Sequence, residues 1–179
     1  MLTIVVVGKK SDKKTVKFIA RALSPQFSIL YIGNDKIQGH PSGHYDFLIY
    51  ETEKLVPITS ENAVIIFKSH SIPQTCQPSL DGCYAVVDSD DEEATELSRQ
   101  MGLRVITCGL SSKDTFTYSS FTSDSSVVCL QRSIPFCGRQ IEPFELPTDN
   151  SNPFDRYLTL VVSCILALSP HTQFIQTLT

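Results

Sequence analysis

The chain has no tryptophan, only two methionines and eight glycines among 179 residues, and it has no apolar run of membrane-spanning length. Its most apolar segment, Tyr157 to Leu168, is about twelve residues, against the roughly twenty needed to cross a bilayer. That length predicts a buried core helix and no membrane partner. The opening residues, MLTIVVVGKK, lack a basic start, an apolar stretch and a small-residue cleavage site. No secretory signal is read from them, so a chain beginning with a strand and a cytoplasmic location are expected. No C-x-x-C pair exists: Cys76, Cys83, Cys108, Cys129, Cys137 and Cys164 are scattered, mostly in apolar contexts. Reduced core thiols are expected rather than disulfides or metal ligands. Excess positive charge is also missing, since the net charge is −4, so nucleic acid is not an expected partner. There is no internal repeat, no low-complexity tract, no G-x-S-x-G elbow and no cysteine close in sequence to a histidine. His40, His44 and His70 match no ligand spacing and read as surface-loop residues.

Against these absences stands a 41% hydrophobic content, enough for a substantial core. Leu2 to Val7 is a continuous β-branched run, the pattern of a strand buried on both faces. Val16, Ile19, Ala20 and Leu23 then recur at helical spacing, and Ser24-Pro25 ends the helix. Strands are predicted at Phe27 to Ile32, Tyr45 to Tyr50, Ala63 to Phe67 and Cys83 to Val87. Asp88-Ser-Asp-Asp-Glu supplies capping acids to a helix marked by Ala94, Leu97 and Met101, which ends at Gly102 before a strand at Arg104 to Cys108. Strand–helix–strand units of this kind favour an α/β fold with a mostly parallel sheet and flanking helices. After Gly109 the pattern changes. Thr115 to Phe121 and Ser125 to Arg132 predict an antiparallel hairpin in the C-terminal third, with a third strand at Gln140 to Leu146. Asn150 to Pro153 reads as a linker and Phe154 to Leu168 as the apolar helix. The expected organisation is a single domain over 1–169 with a tail over 170–179.

Residues 8 to 15, GKKSDKKT, stand between the first strand and the first helix, where nucleotide-binding folds place a phosphate loop. Against G-x-x-x-x-G-K-[ST], Gly8, Lys14 and Thr15 fit, while Lys13 occupies the second glycine position. A side chain there costs roughly 1–2 kcal/mol if left-handed geometry is required. Five of the fifteen Lys and Arg residues lie between Lys9 and Lys17. Lys9, Lys10, Lys13 and Lys14 crowd a helix start that prefers acids by about 0.3–1 kcal/mol per charge. An anion bound there would relieve that crowding.

Several of these pieces, in this order, resemble the central ATP-binding domain of the Mur ligase family, the amide-forming enzymes of peptidoglycan precursor synthesis. The most specific stretch is Ala85 to Ser112, AVVDSDDEEATELSRQMGLRVITCGLSS, which is similar to the family's strand ending in N-x-D-D-P, its helix, and its strand ending in an I-T-Y-G-like sequence. VVVGKKSDKKTVKFIARAL resembles the strand, V-T-G-T-N-G-K-T-T loop and helix. In the family's shorter loop spacing Lys13 takes the lysine position and Asp12 replaces the glycine before it; in the general register Lys14 is the phosphate lysine. DFLIYETEKL, Asp46 to Leu55, resembles the strand ending in E-x-S-S, whose glutamate holds magnesium, and Glu51 stands at that glutamate. In AVIIFKSH, Phe67-Lys68 stand where the family has Thr-Asn, and His70 is a loose match to its histidine. Asp88 stands at the family's nucleotide-contacting asparagine, although ionised aspartate only accepts hydrogen bonds.

The resemblance implies a Mur-ligase-like α/β fold spanning about residues 2 to 168. It also implies ATP, ADP or phosphate at Gly8, Lys9, Lys10, Lys13, Lys14, Thr15 and Asp88, and Mg²⁺ at Glu51. The family's N- and C-terminal domains have no counterpart in the sequence, and the segment from Ser69 to Gly82 is short for the family's modified lysine. Amide ligation requires a phosphoryl-activated carboxylate, metal clamps and an oriented amine. The expectation is a reduced, non-catalytic domain that binds nucleotide or phosphate weakly and has a binding or scaffolding role beside a protein partner or in a homo-oligomer. The alternatives are an ATP-dependent ligase-like enzyme using Lys14, Thr15 and Glu51, and a self-associating structural protein without a ligand.

Overall fold

A computed structural model describes residues 1–39, 43–68, 80, 82–150 and 155–170. The chain divides into two compact units, Met1–Val87 with Asp91–Val105, and Asp88–Asp90 with Ile106–Thr179.

The first unit runs β1 (Leu2–Val7), α1 (Lys14–Leu23), β2 (Ile29–Ile32), β3 (Ile37–Gln38), β4 (Phe47–Thr52), β5 (Ala63–Phe67), β6 (Tyr84–Asp88) and α2 (Glu92–Gln100), and enters β7 (Arg104–Cys108). Its strand order is β6-β5-β1-β4-β2-β3. β1 pairs in parallel with both β4 and β5, β4 with β2, and β5 with β6; the two-residue β3 is antiparallel, on β2. The apolar run of β1 is central because both of its faces are covered. Val5 and Val7 pack with Ile65, Ala85, Val87 and the α2 residues Ala94 and Leu97. Ile4 and Val6, which alternate onto the other face, are also buried. α1 buries Thr15, Val16, Ile19 and Leu23, close to the predicted stripe. α2 starts at Asp91, whose carboxylate accepts from the Ala94 N–H at 3.0 Å.

In the second unit, Cys108 at the end of β7 pairs in parallel with Phe116 of β8 (Phe116–Phe121), and β8 forms the expected antiparallel hairpin with β9 (Ser125–Leu130). The predicted third strand at Gln140 to Leu146 is two strands instead. β11 (Arg139–Ile141) pairs with β10 (Ile134–Phe136), while β12 (Glu145–Asp149) pairs antiparallel with β9. Pro143, without an N–H, separates them. The β10–β11 turn is Cys137-Gly138, with φ of 49° and 70°, the two positive values that a two-residue hairpin matching strand twist requires. Pro147 is accommodated because β12 is the edge strand.

α3 (Arg156–Leu168) is buried all round from Leu160 onward, as its composition dictates. The Asp155 carboxylate caps it, accepting from the Leu158 N–H at 2.9 Å, and at the other end the Arg139 guanidinium donates to Leu168 O at 2.7 Å and Ser169 O at 3.2 Å. The predicted start at Phe154 lies outside the described residues. Asp155→Ala is expected to cost about 1 kcal/mol by leaving an N-terminal amide without its partner, read as a lowered urea midpoint at constant slope. Cys108 and Cys164 are buried here, and burial pushes both thiols well above their ordinary range. Cys83 and Cys129 are buried as well, whereas Cys137 is exposed; Cys76 lies outside the described residues. Among the described residues no helix is long and apolar enough to cross a membrane.

Candidate functional site

The carboxyl ends of β1, β4 and β5 lie side by side, since Val6 is in register with Glu51 and Val7 with Phe67, and the Lys68 N–H continues the ladder to Val7 O at 2.9 Å. Open parallel sheets bind ligands beyond this edge. Here the edge is occupied by the loop from Gly8 to Lys13, by Glu51, by Lys68 and by Tyr31 of β2.

Gly8 has φ 147°, a conformation that favours glycine. Lys13 does not need one. It sits at φ −102°, ψ −2°, so the strain that a side chain would meet in left-handed geometry does not arise. Four amides of this stretch point at protein acceptors: Gly8 N–H to Thr52 O at 3.0 Å, Lys10 N–H to the Glu53 carboxylate at 2.8 Å, Asp12 N–H to Lys9 O at 3.1 Å, and Lys14 N–H to the Asp12 carboxylate at 2.9 Å. A phosphate cradle requires such N–H groups to face a ligand. Thr15 is buried in the first turn of α1.

Lys68, which in the sequence only departs from the family pattern, is the centre of this arrangement. Its side chain is fully buried, and Nζ donates to Lys9 O at 2.9 Å, Asp12 O at 2.6 Å and Glu51 Oε1 at 2.7 Å. An ammonium has three donors, and all three are satisfied. Glu51, 1% exposed, accepts at its other oxygen from Lys13 Nζ at 3.0 Å and from the Tyr31 hydroxyl. Lys10 is directed elsewhere, to the exposed Asp35 at 2.6 Å. The side chains of Lys9 and Lys14 are exposed.

Burial acts to raise the Glu51 pKa, but the hydrogen bonds from Lys68, Tyr31 and Lys13 outweigh it and hold the carboxyl below its ordinary value of 4.5. Burial, followed by the hydrogen bond to Glu51, pushes the Tyr31 phenol up to about 12. A depressed carboxyl pKa contributes stability that is complete above pH 4.5 and is lost as pH falls through the lowered folded value. Thermal unfolding followed from about pH 7 to about pH 2 should therefore show a decline below pH 4.5 that is shallower in Glu51→Gln.

Of the sequence-derived site residues, the fold brings Gly8, Lys9, Lys10, Lys13, Lys14, Thr15 and Glu51 to one sheet edge. Asp88 ends β6 and is grouped with the second unit, where its carboxylate accepts from the Asp90 N–H at 3.0 Å. Tyr31 carried no sequence signal beyond its place in an apolar strand. His40 and His70 lie outside the described residues. Among the described residues no three His, Cys, Asp or Glu side chains converge as a metal site.

No family model and no curated protein matches the sequence. Solved structures do match the fold. A UDP-N-acetylmuramoyl-L-alanyl-D-glutamate–2,6-diaminopimelate ligase superposes with a TM-score of 0.54 at 12% identity, over 99% of this chain and 45% of the ligase. The MurF ligase of Thermotoga maritima, in complex with ADP, gives 0.52 at 12% identity over 93% and 44%. MurF of Acinetobacter baumannii gives 0.51 at 9% identity over 99% and 45%. The chain thus spans under half the length of each ligase, and the likeness is one of fold: α/β and Mur-ligase-like.

Proposed function

We propose that this chain is a Mur-ligase-like domain with a binding or scaffolding role, in which the phosphate loop is closed by the chain's own Lys68 instead of by nucleotide and metal. The observation that carries this reading is the buried Lys68 ammonium, bonded at once to two loop carbonyls and to Glu51. Magnesium would fit this donor set poorly. It requires near-octahedral oxygen ligation at about 2.0–2.1 Å, and both Glu51 oxygens already serve ammonium and hydroxyl donors. Carbonyl groups of Lys9 and Asp12 turned toward a cation are also the opposite of what a phosphate needs. An anion held by the exposed Lys9 and Lys14 side chains would be weak and screened by salt.

The competing reading is an ATP-dependent enzyme in which Lys14, Thr15 and Glu51 hold phosphate and Mg²⁺. It is favoured by one comparison, the MurF ligase solved with ADP. Calorimetric titration of the chain with ATP, ADP and inorganic phosphate, with and without Mg²⁺, separates the two. Lys68 closure calls for no Mg²⁺-dependent binding, and for any residual anion binding to survive Glu51→Ala. Mg²⁺-dependent ATP binding that Lys14→Ala abolishes would establish the enzyme reading instead.

A further inference from the structure

A second concave feature lies beside the loop and shares Lys13, Tyr31 and Glu51 with it along one wall. α1 and the β2–β3 edge enclose a cleft of about 700 Å³, within the range of small-molecule sites. Its apolar lining includes Val16 and Ala20 from the helix and Phe27 and Ile29 from the facing segment. The Phe27 ring stands edge-on to the buried Phe47, with centroids 5.2 Å apart and planes at 87°, so it is held from beneath.

The polar lining is dominated by one charge. Lys13 at the N-cap and Lys17 and Arg21 within α1 follow one another at four-residue spacing, and Lys36 lines the opposite wall with its Nζ 5.3 Å from the Tyr31 ring centroid. The two acids of the lining, Asp35 and Glu51, are already paired, with Lys10 and with Lys68 and Lys13. Lys17 and Arg21 have no acidic partner among the described residues. Like charges four apart repel along a helix, and α1 offers no acid in its first turn to offset them. A cationic stripe over an apolar floor, on a chain with net charge −4, is complementary to a ligand that has both a flat apolar body and an anionic head.

We propose that this cleft binds a small amphipathic organic anion, an aromatic or otherwise flat body bearing a phosphate, sulfonate or carboxylate. The anionic group is held by Lys17 and by the planar fork of Arg21, and the body lies against Phe27, Val16 and Ala20. The residues that hold this ligand, Lys17, Arg21, Phe27, Val16 and Ala20, lie outside the Lys68 network, and Mg²⁺ has no role in the site.

Calorimetry on the full chain with 1-naphthyl phosphate, 1-naphthol, inorganic phosphate and hexaglutamate as probes tests it. One-to-one binding of 1-naphthyl phosphate is expected, at least about tenfold tighter than naphthol or phosphate alone because both halves of the site contribute. Lys17→Ala and Arg21→Ala should each weaken it about fivefold or more without moving the unfolding transition, while Lys14→Ala and removal of Mg²⁺ should leave it unchanged. Ala20→Phe should block it by filling the floor. Absence of binding at millimolar probe, equal affinity for inorganic phosphate, or indifference to Lys17→Ala and Arg21→Ala would each overturn the proposal. Tighter binding of hexaglutamate would also overturn it, by assigning the cleft to an acidic protein segment.

Discussion

Lys68→Met is expected to lower the free energy of unfolding by about 3–5 kcal/mol, the usual cost of removing one member of a buried ion pair. Methionine keeps the length and apolar stem of the side chain, so the loss measures the ammonium and not a cavity. Its removal takes the ammonium donor from Asp12 O, leaves Lys9 O with the Asp12 N–H alone, and leaves Glu51 with only Lys13 and Tyr31. Lys13 is 41% exposed along its side chain and cannot neutralise a buried carboxylate as Lys68 does, because water screens its charge. The double variant Glu51→Leu/Lys68→Met should recover most of the loss, since replacing both members of a buried pair by apolar groups is often neutral or stabilising. Urea unfolding of the four proteins checks this directly. A double variant as unstable as the sum of the two singles would show that the pair is not coupled.

Phe116→Ala is expected to cost about 3–5 kcal/mol in the second unit, through lost burial and the cavity it leaves. Phe116 is fully buried at the start of β8, pairs with Cys108 on one side and Leu130 on the other, and meets the Phe144 ring edge-on at 6.2 Å. Strand pairing on both sides fixes the backbone, so neighbouring side chains have little freedom to close the gap. The urea midpoint should fall with the slope unchanged. A shift worth less than about 1 kcal/mol would mean that the site collapses freely and that the packing around β8 is loose.

Much of this fold was legible because local pattern and final environment agree. The uninterrupted apolar run of Leu2 to Val7 became the central strand, the period of Val16, Ile19 and Leu23 became the buried face of α1, and Asp91 became a cap. The miss at Gln140 to Leu146 has a local cause as well: the Pro143 break and the Cys137-Gly138 turn were present in the sequence, but positive φ at a cysteine is not something its side chain announces. The candidate site was legible only by position. The loop's lysines signal an anion because they crowd a helix start, yet the cation that organises the loop is Lys68, which follows an apolar strand and carries no local signal of that role. Its carboxylate partner is 17 residues away in sequence, and the two meet only because β4 and β5 flank β1 in parallel. Tyr31 is similar, brought to Glu51 by the β2–β4 pairing. Partnerships of this kind depend on strand order, which no local spacing encodes.

Amide hydrogen exchange at Gly8, Asp12 and Lys14 tests the closed loop most directly, because these N–H groups either bond to the protein itself or wait for a phosphate. Protection is expected in the ligand-free chain, unchanged on addition of ATP and Mg²⁺ and lost in Lys68→Met. Unprotected amides that become protected only when ATP and Mg²⁺ are added would contradict closure by Lys68 and return the loop to nucleotide binding.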